Sequence, residues 1–247
     1  MLHRPAGISL QTYETLLEQQ NLGDIHPTLV RGAQWYLPEE RKQLAASAQA
    51  ELAKLGLLRH GRPDGDFLDT LQMLQRPAVE YYSWVKAASG ERTVRTARND
   101  REAVIVVLVN GTVFLTPTRP ETIATDFAAQ LPEAQAAQVH SLNCAQADLE
   151  EIKRGKLPNG TSPSIRDAKR VLHWLQMEYK YFGQLYVAVR EGQNKRRRNE
   201  NPPGWLDTEQ GRVLFGQDSN GWISLAGAGP QDVAKRLQQL ENELRGR

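Results

Sequence analysis

The sequence predicts an α+β protein. It reads as a pseudo-two-fold pair of antiparallel β-meander-plus-helix halves that form one central sheet with flanking helical bundles. Three observations predict this. Between Val79 and Thr116, β-forming runs alternate with the turn dipeptides Ser89-Gly90, Asn99-Asp100 and Asn110-Gly111. The stretch VNGTVFLTP at 109–117 returns as SNGWISLAG at 219–227, with Asn220 standing 110 positions after Asn110. Helical patterns precede each meander, and a proline-led helix follows each.

The elements follow in order. Ser9 to Gln20 is helical, with Ser9 as N-cap and Leu10, Tyr13, Leu16 and Leu17 on one face. Pro38 to Leu58 is a second helix, opened by Pro38, Glu39 and Glu40 and closed near Gly56. HGRPDGDF at 60–67 is a turn, and Asp66 caps a third helix, Phe67 to Leu74, that stops before Pro77. Four strands come next: Val79–Ala88, Glu91–Arg98, the almost wholly apolar and hence central Glu102–Val109, and Thr112–Thr116. Pro120 to Leu131 is an amphipathic helix. AQADLEEIKR at 145–154 is a short helix, 156–164 a loop, and Ile165 to Tyr181 a long helix. The second meander then runs through a strand at Gly183–Arg190, a turn at Glu191-Gly192 and a basic strand or loop at 194–201. PPGWLDTEQ (202–210) is an insertion, followed by strands at Gly211–Gly216 and Trp222–Ala226 and a closing helix at Pro230–Leu244.

The repeat spans about 78–131 and 182–244 within a single domain of 247 residues. Val113 matches Ile223, Leu115 matches Leu225, Pro120 matches Pro230 and Phe127 matches Leu237 at an offset of 110. Upstream the offset falls to 102, which pairs Trp84 with Tyr186 and Gly90 with Gly192. The halves share one core, because a lone four-stranded meander has edges to protect.

No apolar run is long enough to span a membrane. One cysteine, Cys144, excludes a disulfide within the chain and suits a reducing cytoplasm, where the protein is placed. The net charge of +2 hides a basic segment: residues 153–198 hold 12 Lys+Arg against 3 Asp+Glu, enough to attract an acidic partner.

Signatures of chemistry are missing. The chain has no glycine-rich dinucleotide or phosphate loop, no nucleophile elbow and no zinc-protease helix. His140 and Cys144 would share a face of a helix, but nothing nearby supplies further metal ligands, so no metal site, cofactor or small-molecule substrate is expected. The clustered acids Asp64, Asp66 and Asp69, and Glu150 and Glu151, read as caps and solvated faces. Lys195-Arg196-Arg197-Arg198 is the sharpest charge run, read as a solvated hairpin edge or a contact to an acidic protein. A basic nucleic-acid-binding regulator using residues 153–198 is the alternative reading.

The first strand of each half carries the binding candidates. Alternation puts Tyr82, Trp84 and Lys86, with Glu80, on one face of Val79–Ala88; in the second half it groups Gln184, Tyr186 and Arg190. Aromatic, amide and cationic side chains together are typical of protein interface anchors. Partner-binding residues are therefore expected at Tyr82, Trp84, Lys86, Gln184, Tyr186 and Arg190, with Arg197 and Arg198 beside them and helix Pro230–Leu244 as a second candidate surface.

The order and local wording of GRPDGDFLDTLQMLQRPAVEYYSWV, NGTVFLTP, GQLYVAVREG, WLDTEQGRVLFG and SNGWISLAG resemble the EspG family of type VII (ESX) secretion chaperones, over about Ser9 to Leu244. The resemblance implies a cytosolic, non-enzymatic chaperone with the pseudo-two-fold fold. It would bind the helical tip of a PPE-like substrate, in a PE–PPE pair, and shield that aggregation-prone tip before export. It also implies contacts through the sheet, the C-terminal helical bundle and a loop between the second and third strands; here that loop is RNDR, Arg98 to Arg101, and it is short.

Overall fold

The computed structural model describes residues 1–30, 32, 35–88, 90–155, 162–191 and 195–246. The first half runs β1 (Ala6–Ser9), α1 (Leu10–Gln19), a 3-10 turn (Pro27–Leu29), α2 (Pro38–Lys54), a small hairpin β2 (Leu58–Arg59) and β3 (Arg62–Pro63), and α3 (Gly65–Gln75). It continues with β4 (Val79–Ala87), β5 (Gly90–Arg98), β6 (Ala103–Val109), β7 (Thr112–Thr118) and α4 (Ile123–Ala129). The second half runs β8 (Leu142–Ala145), α5 (Gln146–Lys153), α6 (Pro163–Gln176), β9 (Tyr179–Gln184), β10 (Tyr186–Glu191) and β11 (Lys195–Arg198). β12 (Gly204–Thr208), β13 (Gly211–Gln217), β14 (Trp222–Gly227) and α7 (Pro230–Arg245) complete it.

The strands form one antiparallel sheet in the order β1-β7-β6-β5-β4-β9-β12-β13-β14-β8. The order reads alike from both ends, and the likeness reaches further upstream than the repeat in the sequence. β1 leads into α1 and pairs with β7 through Ile8↔Val113; β8 leads into α5 and pairs with β14 through Cys144↔Ile223. At the centre β4 lies against β10 (Tyr82↔Tyr186) and, in the same register, against β9 (Lys86↔Phe182). The strand expected at Gly183–Arg190 is thus part of a longer one, divided at Leu185 where the two halves meet.

Several local expectations need correction. PPGWLDTEQ is not an insertion: its residues 204–208 form β12, an interior strand paired with β9 and β13. Trp205 is fully buried there, and Gly183 makes room for it, since a Cβ on Gly183 would come within 2.8 Å of the indole. The change of offset falls between β11 and β12, which 199–203 separate where the first half has the single strand β5. The helix expected to reach Tyr181 ends at Gln176, because Met177 is extended (φ −64°, ψ 149°) and Tyr179 to Gln184 pair with β12. Asp64, not Asp66, caps α3, its carboxylate accepting from the Asp66 N–H at 3.0 Å. HSLNC is no helix: Cys144 sits in β8, fully buried, with His140 exposed outside it. The two Asn-Gly turns also differ. Asn110 and Gly111 both adopt left-handed φ (49° and 76°), as a tight hairpin requires, whereas Asp218–Gly221 is a longer turn closed by the Asp218 carboxylate on the Asn220 and Trp222 amides. The expected Ser89-Gly90 and Glu191-Gly192 turns and the loop at 156–164 lie partly outside the described residues.

Three apolar clusters hold the layers. One face of the sheet carries α1 and α3 over the first half, with Ile8, Tyr13, Phe67, Leu71, Val104 and Leu115 buried between them. The same face carries α5 and α6 over the second half, burying Leu142, Leu149, Val171, Trp174, Leu206 and Leu225. On the opposite face α4 and α7 pack on each other and on the central strands through Phe127, Val233, Leu237, Tyr81, Val187 and Trp205. Tyr81 donates its hydroxyl to Glu241, which also accepts from Arg98 at 2.8 Å and Arg245 at 3.0 Å, so the end of α7 is fastened to β4 and β5.

The two outermost strands of this order, β1 and β8, have their edges closed by helix side chains. At β1 the Ser9 N–H and hydroxyl each donate to Glu51 of α2 at 2.7 Å, and the Thr12 hydroxyl joins at 2.5 Å. At β8 the Asn143 N–H donates to Asp167 at 2.9 Å and the Ala145 N–H to Ser164 at 3.0 Å, both on α6. Such plugs deny an edge to foreign strands. Burial raises the Glu51 pKa, but the bonds from Thr12 and Ser9 outweigh it and hold the carboxyl below its ordinary value. Glu51→Ala should cost about 1–3 kcal/mol, read as an earlier denaturant midpoint, because it orphans three donors at once; an unchanged midpoint would contradict this role.

Candidate functional site

The candidate site lies on the bundle-carrying face at the seam of the halves, between α1–α3 and α5–α6. Strand alternation places Tyr82, Trp84 and Lys86 of β4 beside Gln184 of β9 and Tyr186 of β10. Tyr82 and Tyr186 stack with centroids 5.0 Å apart and planes 8° from parallel. Trp84 meets both rings edge-on, at 5.7 Å from Tyr82 and 5.4 Å from Tyr186. The Tyr186 hydroxyl donates to Gln184 Oε1 at 2.8 Å. Arg198 lies over the Tyr186 ring at 5.3 Å and Arg196 over Tyr82 at 5.8 Å.

The aromatic set divides by depth. Tyr82 is 1% exposed, covered by His26 at 4.9 Å, so it supports the patch from below and is not an anchor offered to a partner. Trp84, Gln184 and Tyr186 are half-buried, while Lys86 and Arg198 are exposed. Arg197 does not join them: opposite Val189 it faces the other side of the sheet, where its guanidinium donates to the Leu244 carbonyl. Arg196, part of the basic run but not among the expected binding residues, takes the place on this face. Arg190 is half-buried beside the charges of Glu80 and Arg196, and burial lowers its pKa. The apolar stripe of α7 (Val233, Leu237, Leu240) is consumed in the core, which removes it as an apolar docking face.

Under the patch lies a buried charge cluster. Glu80, its side chain 3% exposed, accepts from Arg95 Nε at 2.8 Å and from Arg196 Nε at 2.8 Å. Arg95 also donates to the Leu74 carbonyl at 2.6 Å, and Arg196 to the Tyr82 hydroxyl at 3.3 Å. Burial pushes the Glu80 carboxyl up, but Arg95, then His26 and Arg196, bring it down to about 2. The cluster pins β4, β5, β11 and the 3-10 turn together. Nothing in the spacing of the sequence announces it, since its members are scattered from His26 to Arg196.

His26 sits in this cluster as a neutral ring. Its Nδ1 accepts from the Thr28 N–H at 3.3 Å, which leaves Nε2 toward Glu80 Oε2 at 3.4 Å. Burial first, and the positive field of Arg95 second, lower its pKa to about 3. The folded state therefore stays unprotonated where the unfolded chain, with an ordinary value near 6.5, takes up a proton. Stability is full above pH 6.5 and is lost as pH falls from there toward 3. Between pH 7 and pH 5 the loss should be about 2 kcal/mol. His26→Gln should flatten that stretch of the stability–pH curve; an identical slope in the variant would refute the assignment.

Among the described residues no group of three or more His, Cys, Asp or Glu is placed to hold a metal. The Cys144 thiol, fully buried, is pushed up to about 11 by burial and by Asp167 and Asp148. No described helix is long and apolar enough to cross a membrane.

The model of the EspG family matches residues 9–239 of the chain. Among solved structures, the chain is similar to the Mycobacterium tuberculosis type VII secretion system chaperone EspG5, solved in complex with a PE25–PPE41 dimer. The identity is 14%, 96% of each chain is covered and the TM-score is 0.73, which shows a shared fold. No curated protein matches the sequence.

Proposed function

Because the chain belongs to the EspG family, we propose that it is a type VII secretion chaperone that binds a PPE-like client, in a PE–PPE pair, and shields its aggregation-prone tip in the cytoplasm before export. The family match over residues 9–239 carries the proposal. The likeness in fold to a chaperone solved with a PE25–PPE41 dimer supports it. So does the seam: half-buried Trp84 and Tyr186, supported by Tyr82, offer flat apolar area that costs little to order, and Gln184, Lys86 and Arg198 supply a polar rim.

The mechanism is non-enzymatic. An apolar tip that would otherwise associate with its like is buried against a preformed surface. The titratable groups near the seam serve structure: Glu80 bridges Arg95 and Arg196, and His26 stays neutral.

Co-expression with a PE–PPE pair from the same genome, followed by size-exclusion chromatography, tests the proposal. A single peak holding all three chains is expected. Separate elution from every such pair would reject it. Tight, steeply salt-dependent DNA binding by the purified chain would favour the nucleic-acid alternative instead.

A further inference from the structure

Strand β11 leaves one edge without a strand. Among the described residues it pairs with β10 alone, and β13 follows β12 only as far as Gly204↔Phe215, short of β11. The Asn199 N–H donates to the Val187 carbonyl at 3.1 Å, which fixes the phase of the ladder. The backbone groups of Arg197 therefore face β10, and those of Arg196 and Arg198 face outward. Among the described residues no helix carboxylate closes this edge in the way Glu51 closes β1 and Asp167 closes β8.

A cleft of roughly 1260 Å³ opens beside the edge, with the half-buried Leu214 and Leu244 along its wall. All four residues of β11 are exposed and basic. Arg196 shares Glu80 with Arg95, and Lys195 and Arg198 keep the edge positive on both faces of the strand. Three acids on the cleft wall have partners of their own: Asp232 accepts from the Gly229 N–H at 2.8 Å, Glu243 pairs with Arg236 of the same wall at 3.1 Å, and Asp218 accepts within its own turn. Glu200 stands just past the strand's end and is exposed.

A positive open edge repels a second copy of itself and any basic strand, yet it offers backbone hydrogen bonds to a strand of opposite charge. We propose that the outer edge of β11 docks an acidic, extended segment of a protein partner by strand addition, with alternate apolar side chains entering the cleft. This goes beyond the chaperone reading, and it is measured with a short peptide and no client present.

The test is fluorescence anisotropy at low salt with a labelled peptide of alternating Glu and Val, the same peptide with Lys for Glu, and two N-methylated forms of the Glu peptide, one for each alternate set of amides. The Glu peptide should bind at least about 10-fold more tightly than the Lys peptide. One N-methylated form should lose about 10-fold, because only one set of amides faces the chain. Arg198→Pro removes an outward N–H while sparing the pairing with β10, so it should weaken binding about 10-fold, against about 3-fold for Arg198→Ala. Equal affinity for Glu and Lys peptides, or undiminished binding of both N-methylated forms, overturns the proposal. Displacement of the Glu peptide by a single-stranded oligonucleotide at a concentration below the peptide's own Kd overturns it in favour of nucleic acid.

Discussion

Glu80→Ala is expected to destabilise the fold by about 3–5 kcal/mol, read as a large drop in the denaturant midpoint. Glu80 is the acceptor shared by Arg95 and Arg196, and Arg95 is itself only 2% exposed. Removing the carboxylate leaves a guanidinium out of water with, among the described residues, the Leu74 carbonyl as its remaining partner at hydrogen-bond distance. Most of the cost is that stranded charge and not the lost attraction. The double variant Glu80→Met, Arg95→Met should therefore recover most of the loss, since apolar side chains of similar volume need no counter-charge. A single-variant cost below about 1 kcal/mol would mean that water reaches Arg95 and that the cluster is not a closed one. The second half holds a comparable pair. Arg212, fully buried, takes both oxygens of Asp207 at 2.6 and 2.7 Å and lies over Trp205 at 5.0 Å. Each half thus fastens its strands with a buried arginine–carboxylate pair.

Trp84→Ala and Tyr186→Ala should each weaken client binding by about 1–3 kcal/mol, with little change in thermal stability. Both rings are half-buried, so truncation removes contact area offered to a partner without opening a cavity in the core. The rings touch at 5.4 Å, so the double variant should lose less than the sum of the singles. Tyr82→Ala should behave differently, because its ring is enclosed by His26, Trp84, Tyr186 and Arg196. Its loss should lower stability first and affinity as a consequence. Lys86→Ala and Gln184→Ala, at the rim, should change affinity by under about 1 kcal/mol.

Much of this was legible in the sequence, for reasons specific to each element. β4 and β7 show their alternation because one face of each is committed to a core, and Asn110-Gly111 marks its hairpin through the left-handed backbone both residues adopt. The edge strands β1 and β8 are four residues long, too short for a period to show, and their partners are about 100 or 80 positions away in the chain. β12 was hidden by Pro202-Pro203-Gly204, which reads as a loop, although Gly204 is where Phe215 presses on the strand. The tyrosines at 179 and 181 suit a helix face or a strand equally, and pairing with β12 decided for the strand. At the site, spacing was enough to bring Tyr82, Trp84 and Tyr186 together. It could not show that His26 closes over Tyr82, or that the register of β11 turns Arg196 and Arg198, and not Arg197, toward that face. Both depend on tertiary placement, and a shift of one residue in register inverts the second.

The most direct measurement is isothermal titration of a co-eluting PE–PPE pair into the wild-type chain, Trp84→Ala and Tyr186→Ala, each variant first shown to melt within a few degrees of wild type. A client seated on the seam predicts at least about a fivefold rise in Kd for each variant. Wild-type affinity in both would contradict the seam as the client surface.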